Sequence, residues 1–417
     1  MIRANNKFLL GGIGFALLLP MFYQLSGGIY NTFIFESGGI LSTLPIPISV
    51  PICTLGIVLL LAHYQRAKIA GMFIAALLAA MLLSVVFSGA DVYFEPRKLI
   101  LLAQFILPTL GLAVGQLVND EKKVIANAFL AVLILIVPLQ LAATWSEGSI
   151  MLTHNLRVFS VYQHLQFVPI VFVCAFVYTM AALWDTHRIL VLILAPRIFI
   201  YALASGSFLA VGGFALSMLA FGYQMLRRHT TIHYSLILSS IGGSIVIAII
   251  GAGAFYGIAS KLPSHYGDNG VYVGKFFDLS KGKLPKNVSE RLADWKMFGE
   301  GILESPRTIV LGHAAPLART VRTSAHNWYI DIAYSFGVIS LLPMAALIGY
   351  TAYLYRNRKD DLPLETQWLL FIVFFLVLID NNFKVTLRQP YSGIFVYFMW
   401  GLLLTQLRAP HPSVQPS

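Results

Sequence analysis

The chain is 417 residues long, 58% hydrophobic and only 11% charged, whereas soluble domains carry about 25% charged residues. That composition, with a mean hydropathy of +0.76, excludes an ordinary soluble enzyme and leaves room for roughly a dozen membrane spans of ~20 residues. In so apolar a chain the net charge of +11 fits cytoplasmic anchoring and contact with anionic membrane lipid, not nucleic acid.

Apolar windows of about 19 residues predict twelve spans. They are Phe8–Leu25, Gly39–Leu61, Ile69–Phe87, Leu99–Val118, Val124–Ala143, Leu165–Leu183, Ile189–Ala204, Phe208–Leu226, Ser235–Ile258, Trp328–Leu354, Trp368–Ile379 and Tyr391–Leu407. Met1 to Lys7 is basic and meets the first apolar run with no small-residue cleavage site, which reads as a span and not a removed signal peptide. Cys53 and Cys174 lie inside apolar runs, which argues against a structural disulfide or a zinc site. Spans seven and eight need Ser205-Gly206-Ser207 as their turn. The expected fold is therefore all-α: a polytopic membrane helical bundle. Residues 1–258 hold spans one to nine, 259–325 a large loop with short helices, 326–408 spans ten to twelve, and 409–417 a cytoplasmic tail.

Lys and Arg in short loops set the orientation. With twelve alternating spans, Arg3, Lys7, Arg66, Lys68, Lys122, Lys123, Arg188, Arg227, Arg228, Arg356, Arg358, Lys359 and Arg408 fall on one side, the cytoplasmic one. The loops Asp91–Lys98, Trp145–His164, Ala259–Ala325 and Asp380–Arg388 then face the periplasm. The longest of these carries ten Lys or Arg against six Asp or Glu, a surplus of four. Either outer-leaflet headgroups or an anionic substrate would meet that charge.

Within the long loop one stretch reads as a helix. Asn287 and Glu290 have the capping-box spacing. Leu292, Trp295, Phe298 and Ile302 recur at three- and four-residue steps and predict one apolar face. Ser305-Pro306 predicts its end. Arg291 then falls in the first turn, beside free backbone N–H groups, an arrangement suited to phosphate; pairing with Glu290 or Asp294, or snorkelling to lipid, is the plainer alternative. His326 precedes Asn327 and the tenth span, where the helix N-terminus disfavours the imidazolium, so a neutral ring could accept a proton. His313, in Leu311-Gly312-His313, is the rival base. Arg157 lies in an outward loop near Tyr162, Gln163 and His164. Arg197 interrupts an apolar run, where a charge marks a ligand, a pair or a water-filled cavity unless the helix boundary lies elsewhere. Asp331 in the tenth span could partner an arginine, and Asp380, Lys384 and Arg388 could pair among themselves. There is no HExxH, CxxC pair, DxD, DDxxD or Walker loop, so no metal ligand set or ATP site is expected.

Glu290-Arg291-Leu292-x-x-Trp295, Ser305-Pro306, Leu311-Gly312-His313 and His326-Asn327 followed by nine residues and Gly337 together resemble the core signature of the O-antigen ligase and polymerase superfamily. The resemblance covers the whole chain in span order, and Asn287 to Ser340 in motif. It implies a metal-independent, inverting glycosyltransferase with no cofactor, acting at the periplasmic face. The donor would be an undecaprenyl-diphosphate-linked glycan and the acceptor, for a ligase, the lipid A-core oligosaccharide. The family's histidine carries over onto His326 and its arginine onto Arg291, with His313 as the other candidate base. The family's Ser-Arg-Gly turn is here Ser205-Gly206-Ser207, without an arginine, which leaves Arg197 and Arg157 as further diphosphate contacts. A family glycine three residues after Gly337 is here Ser340. An O-antigen polymerase and an O-linked protein oligosaccharyltransferase share these motifs. A lipid-linked glycan transporter is the reading from another class, and the absence of an internal repeat speaks against it.

Overall fold

A computed structural model describes residues 7–20, 22–23, 46–47, 49–88, 96–118, 123–146, 152, 167–228, 282, 286–317 and 324–409. Arg157 and its neighbours, the predicted span Ser235–Ile258, most of the long loop before Lys286 and the tail beyond residue 409 lie outside them. The described chain is helical. It contains α1 (Lys7–Leu18), α2 (Val50–Ala62), α3 (Lys68–Phe87), α4 (Pro96–Ile106), α5 (Leu110–Leu117), α6 (Val124–Ser146), α7 (Val168–Ala204) and α8 (Phe208–Arg228). It continues with α9 (Lys286–Ile302), α10 (Pro306–Leu311), α11 (Trp328–Phe336), α12 (Leu342–Arg356), α13 (Leu364–Phe374), a π-helical turn Phe375–Asp380, α14 (Asn381–Phe383) and α15 (Pro390–Arg408). Phe22–Tyr23 and Ile46–Pro47 form a minimal antiparallel pair.

Among the described residues seven helical segments are long and apolar enough to cross a membrane, and α1 and α2 are apolar but shorter. Large apolar side chains such as Leu61, Met72, Leu83, Leu135, Ile189 and Leu342 stand exposed on the outside, a surface that suits lipid and not water. This is the make-up of a membrane protein.

Some predicted spans differ in form or extent from their expectation. The sixth and seventh merge into α7, whose 37 residues contain one non-helical position, His187. A straight helix would separate Phe172 from Tyr201 by about 43 Å, yet their rings stack at 5.4 Å. The chain therefore folds back at His187, and α7 is two antiparallel helices. Gly206, at φ 67°, then makes the expected turn into α8. The tenth, expected as one span from Trp328 to Leu354, is broken at Gly337 (φ 77°), where α11 stops and a 3-10 turn leads into α12. A Cβ at Gly337 would overlap the Val310 carbonyl, so α10 packs directly on this break. The eleventh span is longer than expected and runs from Leu364 to Phe383.

Deep in the bundle runs α15, whose residues from Tyr391 to Leu404 are all buried. It lies against α5 at backbone contact. A Cβ on Gly115 would overlap the Phe398 carbonyl oxygen. With little hydrophobic drive between helices in lipid, such small-residue contacts carry the packing. Gly115→Leu should therefore lower the unfolding midpoint in detergent, as overpacking costs about 1–3 kcal/mol; an unchanged midpoint would show the contact to be dispensable.

The polar groups gather at the two ends of the bundle. At one end Lys123 pairs with Glu365, Gln224 bonds Gln367 at 3.0 Å and the Arg358 guanidinium bonds the carbonyls of Gln406 and Leu407 at 3.2 Å. At the other end meet Lys98, Ser88 and His313, the Asp331–Arg388 pair, and the Tyr391 hydroxyl on the Leu18 carbonyl at 2.6 Å.

Candidate active site

The site is built where α9 lies across α11. α9 begins at Lys286, so Asn287 is inside the helix and not its cap, and Arg291 sits in the second turn, past the free N–H groups. The buried face also differs from the expected one. Leu292 is exposed, while Asp294 and Phe298 are buried with Trp295 beside them. Arg291, Asp294, Trp295 and Phe298 follow three- and four-residue steps, the spacing of one helical face. Phe298 packs edge-on against Tyr334 of α11 at 4.9 Å, and Trp295 meets Phe383 at 6.1 Å. These apolar contacts seat Arg291 and Asp294 over the start of α11.

α9 ends at Ile302, and Ser305-Pro306 opens the next helix instead of closing this one. Ser305 and Thr308 form a reciprocal capping box with Pro306 in the first turn, which satisfies otherwise orphan N–H groups. The Arg307 guanidinium bonds the Phe87 carbonyl at 2.7 Å, and the Ser84 hydroxyl bonds the Leu311 carbonyl, so α10 is docked on the end of α3.

His326 faces this helix from the other segment. Its Nδ1 stands 3.5 Å from Asp294 Oδ2. Its φ of 54° is in the left-handed region, which for a non-glycine residue costs on the order of 1–3 kcal/mol and must be held from outside. Asp331 does the holding. Its carboxylate accepts from the Ala325 N–H at 2.6 Å and the Ser324 hydroxyl at 2.7 Å, and Ser324 Oγ in turn accepts from the His326 N–H at 3.0 Å. Arg388 closes the set at 2.7 Å from Asp331. Asn327, not His326, caps α11, accepting from the N–H groups of Tyr329 and Ile330.

A second ion pair lies next to the first. Asp380 and Lys384, both buried, approach to 3.2 Å, and the Thr386 hydroxyl also bonds Asp380. Asp380 is therefore a buried residue of the π-helical turn and not part of an open loop, and Arg388 pairs with Asp331 instead of with it. Asp380 and Asp294 both favour the charged form of Arg291, against a larger effect of burial that pushes its guanidinium below the ordinary value. Burial also lowers the His326 imidazole below its ordinary 6.5, with Arg291 adding to the effect and Asp294 and Asp331 opposing it. A buried ring beside a guanidinium thus disfavours the imidazolium. The balance favours the neutral imidazole, which can take a proton.

The other candidates are placed elsewhere. The His313 ring bonds the Gly301 carbonyl at 3.0 Å through Nε2 and stacks on Tyr334 at 4.1 Å. Its own carbonyl accepts from buried Lys98 at 2.7 Å. His313 thus joins α9 to the far end of α11, and the stretch around it is firmly held. Arg197 is exposed on the outer stripe of α7 among Ile193 and Ile200, and no described contact brings it to Arg291 or His326. Arg157 lies outside the described residues. Among the described residues no three His, Cys, Asp or Glu side chains converge as metal ligands.

No protein-family model matches this chain. No curated protein is significantly similar to it.

What the geometry offers is a half-buried guanidinium and an imidazole beside the same carboxylate, Asp294, at one end of an apolar bundle. A cation held there can meet a developing negative charge, and the imidazole can take a proton from a nucleophile. Sequence reasoning gave Asp294 only as a plain partner for Arg291 and Asp380 only as a loop charge, and assigned neither to the site. The signal for Asp294 was its three-residue step from Arg291.

Proposed function

We propose that this chain is a glycan transferase of the O-antigen ligase type. In this reading it moves a glycan from undecaprenyl diphosphate onto a hydroxyl of the lipid A-core oligosaccharide, at the periplasmic face of a twelve-span inner-membrane protein. The observation that carries the reading is the approach of Asp294 to His326 at 3.5 Å, which brings the face of α9 that bears Arg291 to the ring, from two ends of the segment that bears the motifs. The sidedness rests on the gathering of Lys98, His313, Asp331 and Arg388 at one end of the bundle and of Lys123 and Arg358 at the other.

The reaction breaks the C1–O bond of the donor, and that electron pair leaves on the diphosphate. The acceptor oxygen forms the new bond to C1 as its proton passes to His326. Arg291 faces the charge that grows on the leaving diphosphate, so it stabilises the transition state more than the ground state. Because burial and Arg291 hold His326 below 6.5, the base is unprotonated through neutral pH. The rate should stay level there and fall about tenfold per pH unit only below the midpoint of His326.

The test is transfer by purified protein given undecaprenyl-diphosphate-linked glycan and lipid A-core, with EDTA present and pH varied. A glycan ladder on the core that disappears with His326→Ala supports the ligase. A lengthened glycan still on the lipid carrier, with bare core, makes the protein a polymerase. Movement of the lipid-linked glycan across a vesicle with no transfer to any acceptor would overturn the enzyme reading.

A further inference from the structure

Three charged groups act on the His326 ring. Arg291 and Asp294 come from α9, and Asp331 comes from α11. The Asp331 carboxylate is already taken up by Ser324, the Ala325 N–H and Arg388. Asp294 is only 4% exposed, and it is its oxygen that stands 3.5 Å from the buried Nδ1. A carboxylate at that nitrogen favours a proton there, which fixes the tautomer of a neutral imidazole and leaves the opposite nitrogen free to accept. α9 holds Asp294 rigidly, since the neighbouring Trp295 and Phe298 rings are packed against Phe383 and Tyr334.

We infer that Asp294 is a positioning residue, which holds His326 in the tautomer protonated on Nδ1 and so presents Nε2 as the proton acceptor. Its effect on transfer rests on the function proposed above; its effect on the ring does not. One helical face then supplies both the diphosphate-facing Arg291 and, three residues on, the carboxylate that orients the base. The acceptor proton goes to Nε2, and the resulting imidazolium is stabilised at Nδ1 by Asp294 until the proton is lost to water.

The test uses the full chain with ¹⁵N-labelled histidine in lipid nanodiscs, with His326→Gln and His313→Gln to identify the two signals. His313 is an internal contrast, because its Nε2 faces the Gly301 carbonyl and must carry the proton. His326 should report the Nδ1–H form, the opposite tautomer. Asp294→Ala should mix the two forms of His326 and lower its titration midpoint, since a carboxylate that favours the imidazolium has gone; Asp294→Glu should restore both. In the transfer assay, Asp294→Ala should lower kcat by about tenfold or more, with KM for the lipid-linked donor little changed and the acid limb moved to lower pH. A wild-type His326 signal of the Nε2–H form would overturn the assignment. So would an Asp294→Ala protein with the same tautomer and midpoint as the wild type. If the tautomers behave as stated but no glycan is transferred to any acceptor, the proposed function fails and the positioning role stands.

Discussion

Arg291→Ala should lower kcat/KM for glycan transfer by about 10²–10³-fold, the scale seen when one preorganised donor to a developing oxyanion is removed. The reason is its setting. The guanidinium is half-buried, and burial works against its charge. Asp380 and Asp294 favour that charge, and Asp380 is itself paired to Lys384. A fixed cation needs no rearrangement when the leaving diphosphate becomes more negative. Arg291→Lys should recover only part of the loss, because an ammonium lacks the planar fork that meets two phosphate oxygens at once. Two readouts separate this role from simple binding. A transition-state contact lowers kcat and kcat/KM together, whereas a ground-state contact raises KM alone. The pH profile should also move. Arg291 disfavours the imidazolium of His326, so without it the His326 midpoint rises and the acid limb shifts to higher pH, opposite in sign to the Asp294→Ala shift. Near wild-type transfer by Arg291→Ala would remove this residue from the reaction.

The legible part of the fold was its apolar periodicity. Most predicted spans coincide with helices, and the polar Asp185–Arg188 stretch marked the reversal that α7 makes at His187. The errors share a physical origin. In a membrane helix the core-facing and lipid-facing sides are both apolar, so an arginine in an apolar run does not reveal its direction. Arg197 was expected to face a site and instead lies on the exposed stripe. A glycine inside an apolar run is equally mute: Gly337 breaks the tenth span because the Val310 carbonyl arrives there from α10, a contact that no local pattern carries. In the site, an arginine partner for Asp331 followed from the cost of a buried charge, and Arg388 is that partner. Asp294 was expected only as a plain partner for Arg291, because an acid in a loop helix reads as a solvated charge until Trp295 and Phe298 are known to turn that face inward. Ser305-Pro306 reads as the stop of one helix and is in fact the start of the next, where the Thr308 side chain completes the cap.

Asp331→Asn should cost about 3–5 kcal/mol of stability, the range for breaking a buried ion pair by removing one partner, and should abolish transfer with it. The Arg388 side chain, 12% exposed, sits over the Phe105 ring at 5.8 Å and would be left without its carboxylate. The Ala325 N–H and Ser324 hydroxyl would lose a charged acceptor, and with them the support of the left-handed backbone at His326. Stability and catalysis can be pulled apart by replacing both partners. An Asp331→Leu, Arg388→Met protein removes both charges at once, and such exchanges are often neutral for stability. Its unfolding midpoint should therefore return toward the wild-type value. Its transfer activity should not return, because nothing then holds the turn from Ser324 to His326, and the imidazole is no longer kept beside Asp294 and Arg291. Recovery of both would mean that Asp331 serves only to neutralise Arg388. Recovery of stability alone would mean that the fold can do without this ion pair and the base cannot.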